Sequence, residues 1–230
     1  MSVRKDKPGW ESLDSFFSYL NSQRLRYVVL RNHEELLEAE FLKNHPDIDF
    51  LCESSEAFVR LARAVPSGKR NEKVHFRIKI GNGIVPIDVR EVGDDYYDAA
   101  WETDMLETRI LYRDFCYIPD PENYYYSLCY HALLQKHFLS DEYRDKLGRL
   151  KPEMKNRTEE EHLNFLETFM QNKNYFYCYP ADRGVIFRFR AIDENRIKKN
   201  TKEEFFRKRK DFSRRLRRFL KSMFFARKEL

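Results

Sequence analysis

A mixed α/β half followed by a mainly helical half is the fold this sequence predicts, and three observations predict it. Short strand-like apolar runs alternate with helical patterns up to about residue 118. Two alternating runs, residues 74–80 and 84–90, are split by Gly81-Asn82-Gly83, a strong hairpin signal. Beyond Pro119-Asp120-Pro121 the apolar residues recur mostly at helical spacing.

Taken in order, Trp10, Leu13, Phe16, Phe17 and Leu20 share one helical stripe, so an amphipathic helix opens the chain. Residues 27–30 form a short buried strand, residues 34–42 look helical, and residues 47–52 form a second strand. Ser54 or Ser55 caps a helix running through Phe58, Leu61, Ala62 and Val65, which stops at Pro66-Ser67-Gly68. The hairpin follows. Residues 96–108 then read as a helix and residues 109–118 as one more strand. Asp120 or Pro121 opens a helix running to about residue 137. Further helices are predicted over residues 140–150 and 158–170, and strand-like runs over residues 175–179 and 185–190. The expected units are an α/β domain over residues 1–118, a helical domain over residues 119–200 and a basic tail over residues 201–230.

Composition narrows the function classes. An aromatic content of 15% supplies a sizeable core. No run of about 18 uncharged apolar residues occurs, which excludes a spanning helix, and the first residues lack a signal-peptide h-region. The expected location is the cytoplasm, peripheral at the inner membrane face. Cys52, Cys116, Cys129 and Cys178 match no zinc spacing and are expected to be buried, reduced thiols. The net charge of +5 is unevenly spread: residues 205–230 hold 11 Lys or Arg against 2 Asp or Glu, a net of +9, which leaves −4 on residues 1–204.

The residues that carry chemistry lie on the predicted strands. Asp47 and Asp49 flank Ile48, and side chains at i and i+2 of a strand share a face about 6.6 Å apart. Asp88 sits on the returning arm of the hairpin. If the two strands are neighbours, three carboxylates converge and repel one another, and hard divalent cations are the usual neutralising partner. Removing one charge, as in Asp49→Asn, is therefore expected to relieve repulsion and raise the metal-free melting temperature.

This arrangement resembles the nucleotidyltransferase fold of polymerase-beta-like enzymes and aminoglycoside nucleotidyltransferases, with the match covering roughly residues 10–118. The run from Tyr27 to Asn32 followed by the Asp-Ile-Asp strand looks most like divergent transferase-like proteins of bacterial surface-polysaccharide loci. The resemblance implies a small mixed sheet flanked by helices and a site holding one or two Mg2+ ions. It also implies that Asp47 and Asp49 are metal ligands, and that Asp88 is both a metal ligand and the general base. The superfamily has a glycine turn after the first strand, where this chain reads Leu30-Arg31-Asn32-His33. Arg31 and Asn32 are then the phosphate-contacting candidates, Arg31 through its guanidinium fork. The implied partners are a nucleoside triphosphate or activated-sugar donor and a saccharide or lipid-linked acceptor.

Weaker candidates surround this set. His75, Arg77 and Lys79 share one strand face and could line the same cleft, although an ordinary solvated face gives the same pattern. His131 sits one helical turn from Gln135 in a tyrosine-rich helix, a composition that packing alone also explains. In the tail, Phe205, Phe212, Leu216, Phe219, Leu220 and Met223 interleave with basic residues as an amphipathic stripe. Such a stripe fits an anionic membrane surface, nucleic acid less well, or the protein's own body. The competing functional expectation is a non-catalytic binding protein of the same fold, docking on membrane or nucleic acid through this helix.

Overall fold

A computed structural model describes residues 9–38, 41, 47–68, 74–136, 139–179, 185, 187–188 and 192–198. The basic tail, residues 201–230, lies outside these described residues, and the helix expected over residues 34–42 is only a 3-10 turn, Glu35–Leu37, which ends where Glu38 turns extended (φ −80°, ψ 136°). Helix α1 (Leu13–Ser22) starts at Ser12, whose hydroxyl accepts from Ser15 N while Ser15 Oγ accepts from Ser12 N. Strands β1 (Tyr27–Val29) and β2 (Ile48–Cys52) are followed by α2 (Ser55–Leu61), which Ser54 caps. Strand β3 (Val65–Pro66) precedes the hairpin of β4 (His75–Ile80) and β5 (Gly83–Glu91).

These five strands form one sheet in the order β1-β2-β5-β4-β3. β2 and β5 run parallel, and the other three pairs are antiparallel. Alternation divides the sheet chemically. Tyr27, Val29, Ile48, Phe50, Cys52, Ile87 and Val89 point to one face and join Phe16, Phe17 and Leu20 of α1 and Phe58 of α2. Phe50 is fully buried there among the rings of Phe16, Phe17, Tyr27 and Phe58. Truncating it to Ala would cost about 3–5 kcal/mol. A one-residue slip of β2 would exchange Phe50 for Asp49 in that core, so the core fixes the direction of Asp49.

The opposite face receives the second half of the chain. Helix α3 (Ala99–Glu107), capped by Asp98, packs across β1 and β2 and brings Tyr97, Trp101 and Met105 onto Val28, Leu30 and Leu51. A small antiparallel sheet, β6 (Ile110–Tyr112) with β7 (Cys116–Ile118), follows. Helix α4 (Pro121–Tyr130) opens with Asp120 as N-cap and Pro121 in the first turn, and continues into a π-helical turn, His131–Gln135. Helices α5 (Asp141–Leu150) and α6 (Glu159–Asn172) pack on α4. All four cysteines are buried and free of disulfides.

Four further expectations need correction. Residues 109–118 are a hairpin rather than one strand, because Arg113 and Asp114 adopt φ of 49° and 55° and reverse the chain without glycine. The helix after Ser54 ends at Leu61, and Val65 starts a strand instead. The helix expected from residue 96 begins at Ala99, after bends at Tyr96 and Tyr97. Residues 175–179 and 185–190 form no ladder among the described residues; Tyr177 makes a single bridge to Ile197, and Tyr175 packs on Trp101.

Candidate functional site

Strand register builds the centre of the site. Asp49 of β2 stands opposite Asp88 of β5, and Asp88 stands opposite His75 of β4. The three side chains thus form one row across adjacent strands, on the sheet face that the helical half covers. His75 Nδ1 hydrogen-bonds Asp88 Oδ1. Asp47 immediately precedes β2, and Asp49, Arg31, Lys136 and His75 all act on it electrostatically, which places it at the same mouth.

Arg31 closes the row from the other side. Leu30 N donates to Asp49 O at 2.9 Å, which carries the β1–β2 ladder one residue past β1 and sets Arg31 beside Asp49. Its Nη2 lies 2.7 Å and its Nε 3.1 Å from Asp49 Oδ2. Nη1 donates to Tyr96 Oη at 3.1 Å. Tyr96 in turn is held by the π-turn: its hydroxyl lies 3.3 Å from His131 Nδ1, and its carbonyl accepts from Gln135 Nε2 at 3.3 Å. His131 Nδ1 and Gln135 Oε1 are 2.9 Å apart. π-helical turns recur at functional sites because they re-aim side chains that an α-helix would place elsewhere. Arg90, from the same face of β5 as Asp88, lies over the Tyr96 ring at 4.2 Å.

The loop after β1 turns without glycine. Asn32 adopts φ of 57°, a left-handed conformation that Asn tolerates better than most residues. Its Oδ1 accepts from Lys146 Nζ at 2.8 Å, and the same ammonium lies 3.0 Å from both Glu35 and Glu142. His33 is wedged edge-on between Tyr112 and Tyr124, with ring centroids 4.6 and 4.7 Å away. Helix α5 thereby clamps the loop that carries Arg31.

Electrostatics follow from this crowding. Burial, and next the charge of Asp49, push the Asp88 carboxyl above its ordinary range, although His75 pulls the other way. Partial burial and Asp49 push Asp47 up as well. Burial works against the charge of Arg31, yet Asp49 more than restores it, so the guanidinium stays protonated. His131 is driven well below the usual histidine range by burial and by Arg31, and remains neutral.

Of the sequence candidates, Asp47, Asp49, Asp88, His75 and Arg31 are brought together, while Asn32 follows Arg31 in the chain but turns its amide to Lys146. His131 joins through Tyr96, as support rather than as a contact to ligand. Arg77 lies opposite Pro86 and is exposed, and the Lys79 stem packs against Gly9, so neither stands in the central row. Arg31 does not present a free fork, because Asp49 and Tyr96 occupy it. Sequence reasoning missed Lys146 and Tyr96. Lys146 lies 114 residues from Asn32 and carries no local signal. No family model, curated protein or solved structure matches this chain.

The donor types fit a hard cation: Asp47, Asp49 and Asp88 offer carboxylate oxygens, and Asp49 disfavours charge on both others, the repulsion that a cation relieves. Among the described residues, however, no three His, Cys, Asp or Glu side chains form a ready-made metal-holding group. Side chains of the protein, the Arg31 guanidinium on Asp49 and the His75 imidazole on Asp88, stand there instead.

Proposed function

We propose that this chain is a magnesium-dependent nucleotidyl- or phosphotransferase-like protein of surface-polysaccharide assembly, with Asp47, Asp49 and Asp88 as its cation-binding carboxylates. The supporting observation is the direct pairing of Asp49 with Asp88 on parallel neighbouring strands of a mixed sheet. When bound, Mg2+ supplies neutralisation of phosphate charge and a lower pKa for an attacking hydroxyl. The chain's own residues do the rest. Asp88, oriented by His75, takes the proton of the acceptor hydroxyl, and its raised proton affinity makes it a better base than an ordinary aspartate. Arg31 and Asn32, at the end of β1, face the phosphates of a nucleoside triphosphate or activated-sugar donor. Half-buried Tyr143 and Lys146 of α5 border the saccharide or lipid-linked acceptor. The basic tail holds the protein at an anionic cytoplasmic membrane face.

A second reading has its own support. Arg31 and His75 already occupy the two paired carboxylates, as in a binding protein that keeps the fold without catalysis. Titration of the protein with Mg2+ and Mn2+ by calorimetry, with and without a nucleoside triphosphate, separates the two. Saturable binding supports the transferase; absence of binding at millimolar ion leaves the binding protein.

A further inference from the structure

We propose that Arg31 is the resident counter-ion of the acidic row and passes from Asp49 to the phosphates of an anionic donor, so that cation and polyphosphate bind well together and poorly apart. This rests on the transferase reading and adds to it a coupling between the two ligands, carried by the exchange of Arg31 from Asp49 to the donor's phosphates.

Three observations carry it. First, the Arg31 side chain is only 9% exposed and that of Asp49 17%, so neither charge can be left alone without a large penalty. Any cation that takes Asp49 must therefore be matched by an anion that takes Arg31. Second, the charges balance only in the joint complex. A divalent cation alone meets a guanidinium already on the carboxylate it needs, and a polyphosphate alone meets Asp47, Asp49 and Asp88. Third, Arg31 is held in a way that permits transfer. Nη1 stays on Tyr96, itself fixed by His131 and Gln135, while Nε and Nη2 share a single carboxylate oxygen. Those two donors form the fork edge that pairs with phosphate oxygens.

Calorimetry on the full-length chain tests this with Mn2+ and a non-hydrolysable ATP analogue, each titrated alone and in the presence of the other. Each ligand is expected to tighten the other by the same factor, about tenfold or more. Arg31→Gln is expected to bind Mn2+ alone more tightly than wild type and to lose the coupling. Tyr96→Phe keeps the ion pair and deletes only the hydroxyl, so it serves if Arg31→Gln does not fold; its coupling should fall part of the way. Wild-type binding without coupling, or coupling that survives in Arg31→Gln, overturns the Arg31 exchange while leaving the transferase reading intact. If neither wild type nor variant binds Mn2+, both fall.

Discussion

Two nitrogens of Arg31, Nε and Nη2, converge on one oxygen of Asp49, at 3.1 and 2.7 Å. The site is thus an acidic row with a cation already built into it, rather than a bare cluster of like charges.

That pairing reverses the expectation for Asp49→Asn. Neutralising Asp49 leaves a nearly buried guanidinium without its partner, which costs more than the relieved repulsion returns. The variant should be destabilised by about 3 kcal/mol in the absence of metal, the scale for breaking a buried ion pair. Chemical denaturation measures it, and a higher unfolding midpoint than wild type would show that Arg31 finds another anion.

Asp88 should behave in the opposite way. Its folded-state affinity for protons is raised, so above that raised pKa the ionised carboxyl costs stability, and the cost fades as pH falls toward the ordinary carboxylate range. Asp88→Asn should therefore be more stable than wild type at neutral pH, by about 0.5–2 kcal/mol. The difference should shrink on acidification. Thermal melts across a pH series measure this, and a difference that does not shrink on acidification would show that the Asp88 carboxyl is not the group responsible.

Asn32 offers a test of the loop. Both Asn32→Gly and Asn32→Ala remove the bond to Lys146, but only Ala has a Cβ that resists φ of 57°. The Ala variant should be less stable than the Gly variant by about 1 kcal/mol. Equal unfolding midpoints would mean that the loop relaxes to an ordinary conformation.

Lys146→Met should unclamp the same loop from α5. Loss of three partners, Asn32, Glu35 and Glu142, is expected to lower stability by about 1–3 kcal/mol. Amide exchange at residues 32–36 should quicken more than exchange in β2. Uniform protection across both segments would place the clamp elsewhere.

Residues 205–230 lie outside the described residues, and their charge makes its own prediction. Deleting them changes the net charge from +5 to −4, so sedimentation with anionic vesicles should drop sharply at low salt. Vesicle binding that is unchanged by the deletion removes the tail from the membrane reading.

The placement of the acidic row could be read from the sequence because it follows from strand phase. Ile48, Phe50 and Cys52 must face one core, so Asp49 must face away, and the glycine-flanked turn fixes Asp88 on the returning strand. The partners of those acids could not be read the same way. Where Arg31 points depends on the register of β1 against β2 and on Tyr96, 65 residues later. Hairpin residues 113–114 escaped notice because Arg and Asp there take a conformation usually signalled by Gly or Asn. The left-handed Asn32, by contrast, was within reach, since Asn is the commonest substitute for glycine in that region.

The widened turn at His131–Gln135 has a second duty. Lys136 N bonds His131 O at 3.1 Å, five residues back, so the backbone there departs from the α-helical pattern. Arg188 uses the nearby carbonyls: its amide donates to Leu134 O at 2.9 Å, its Nη1 to Leu133 O at 3.4 Å, and it pairs with Glu159 of α6. One turn of helix is therefore the shared anchorage of the Tyr96–Arg31 contact and of Arg188, which pairs with Glu159 at the start of α6. Deleting a single residue from that turn would therefore disturb both sets of contacts at once.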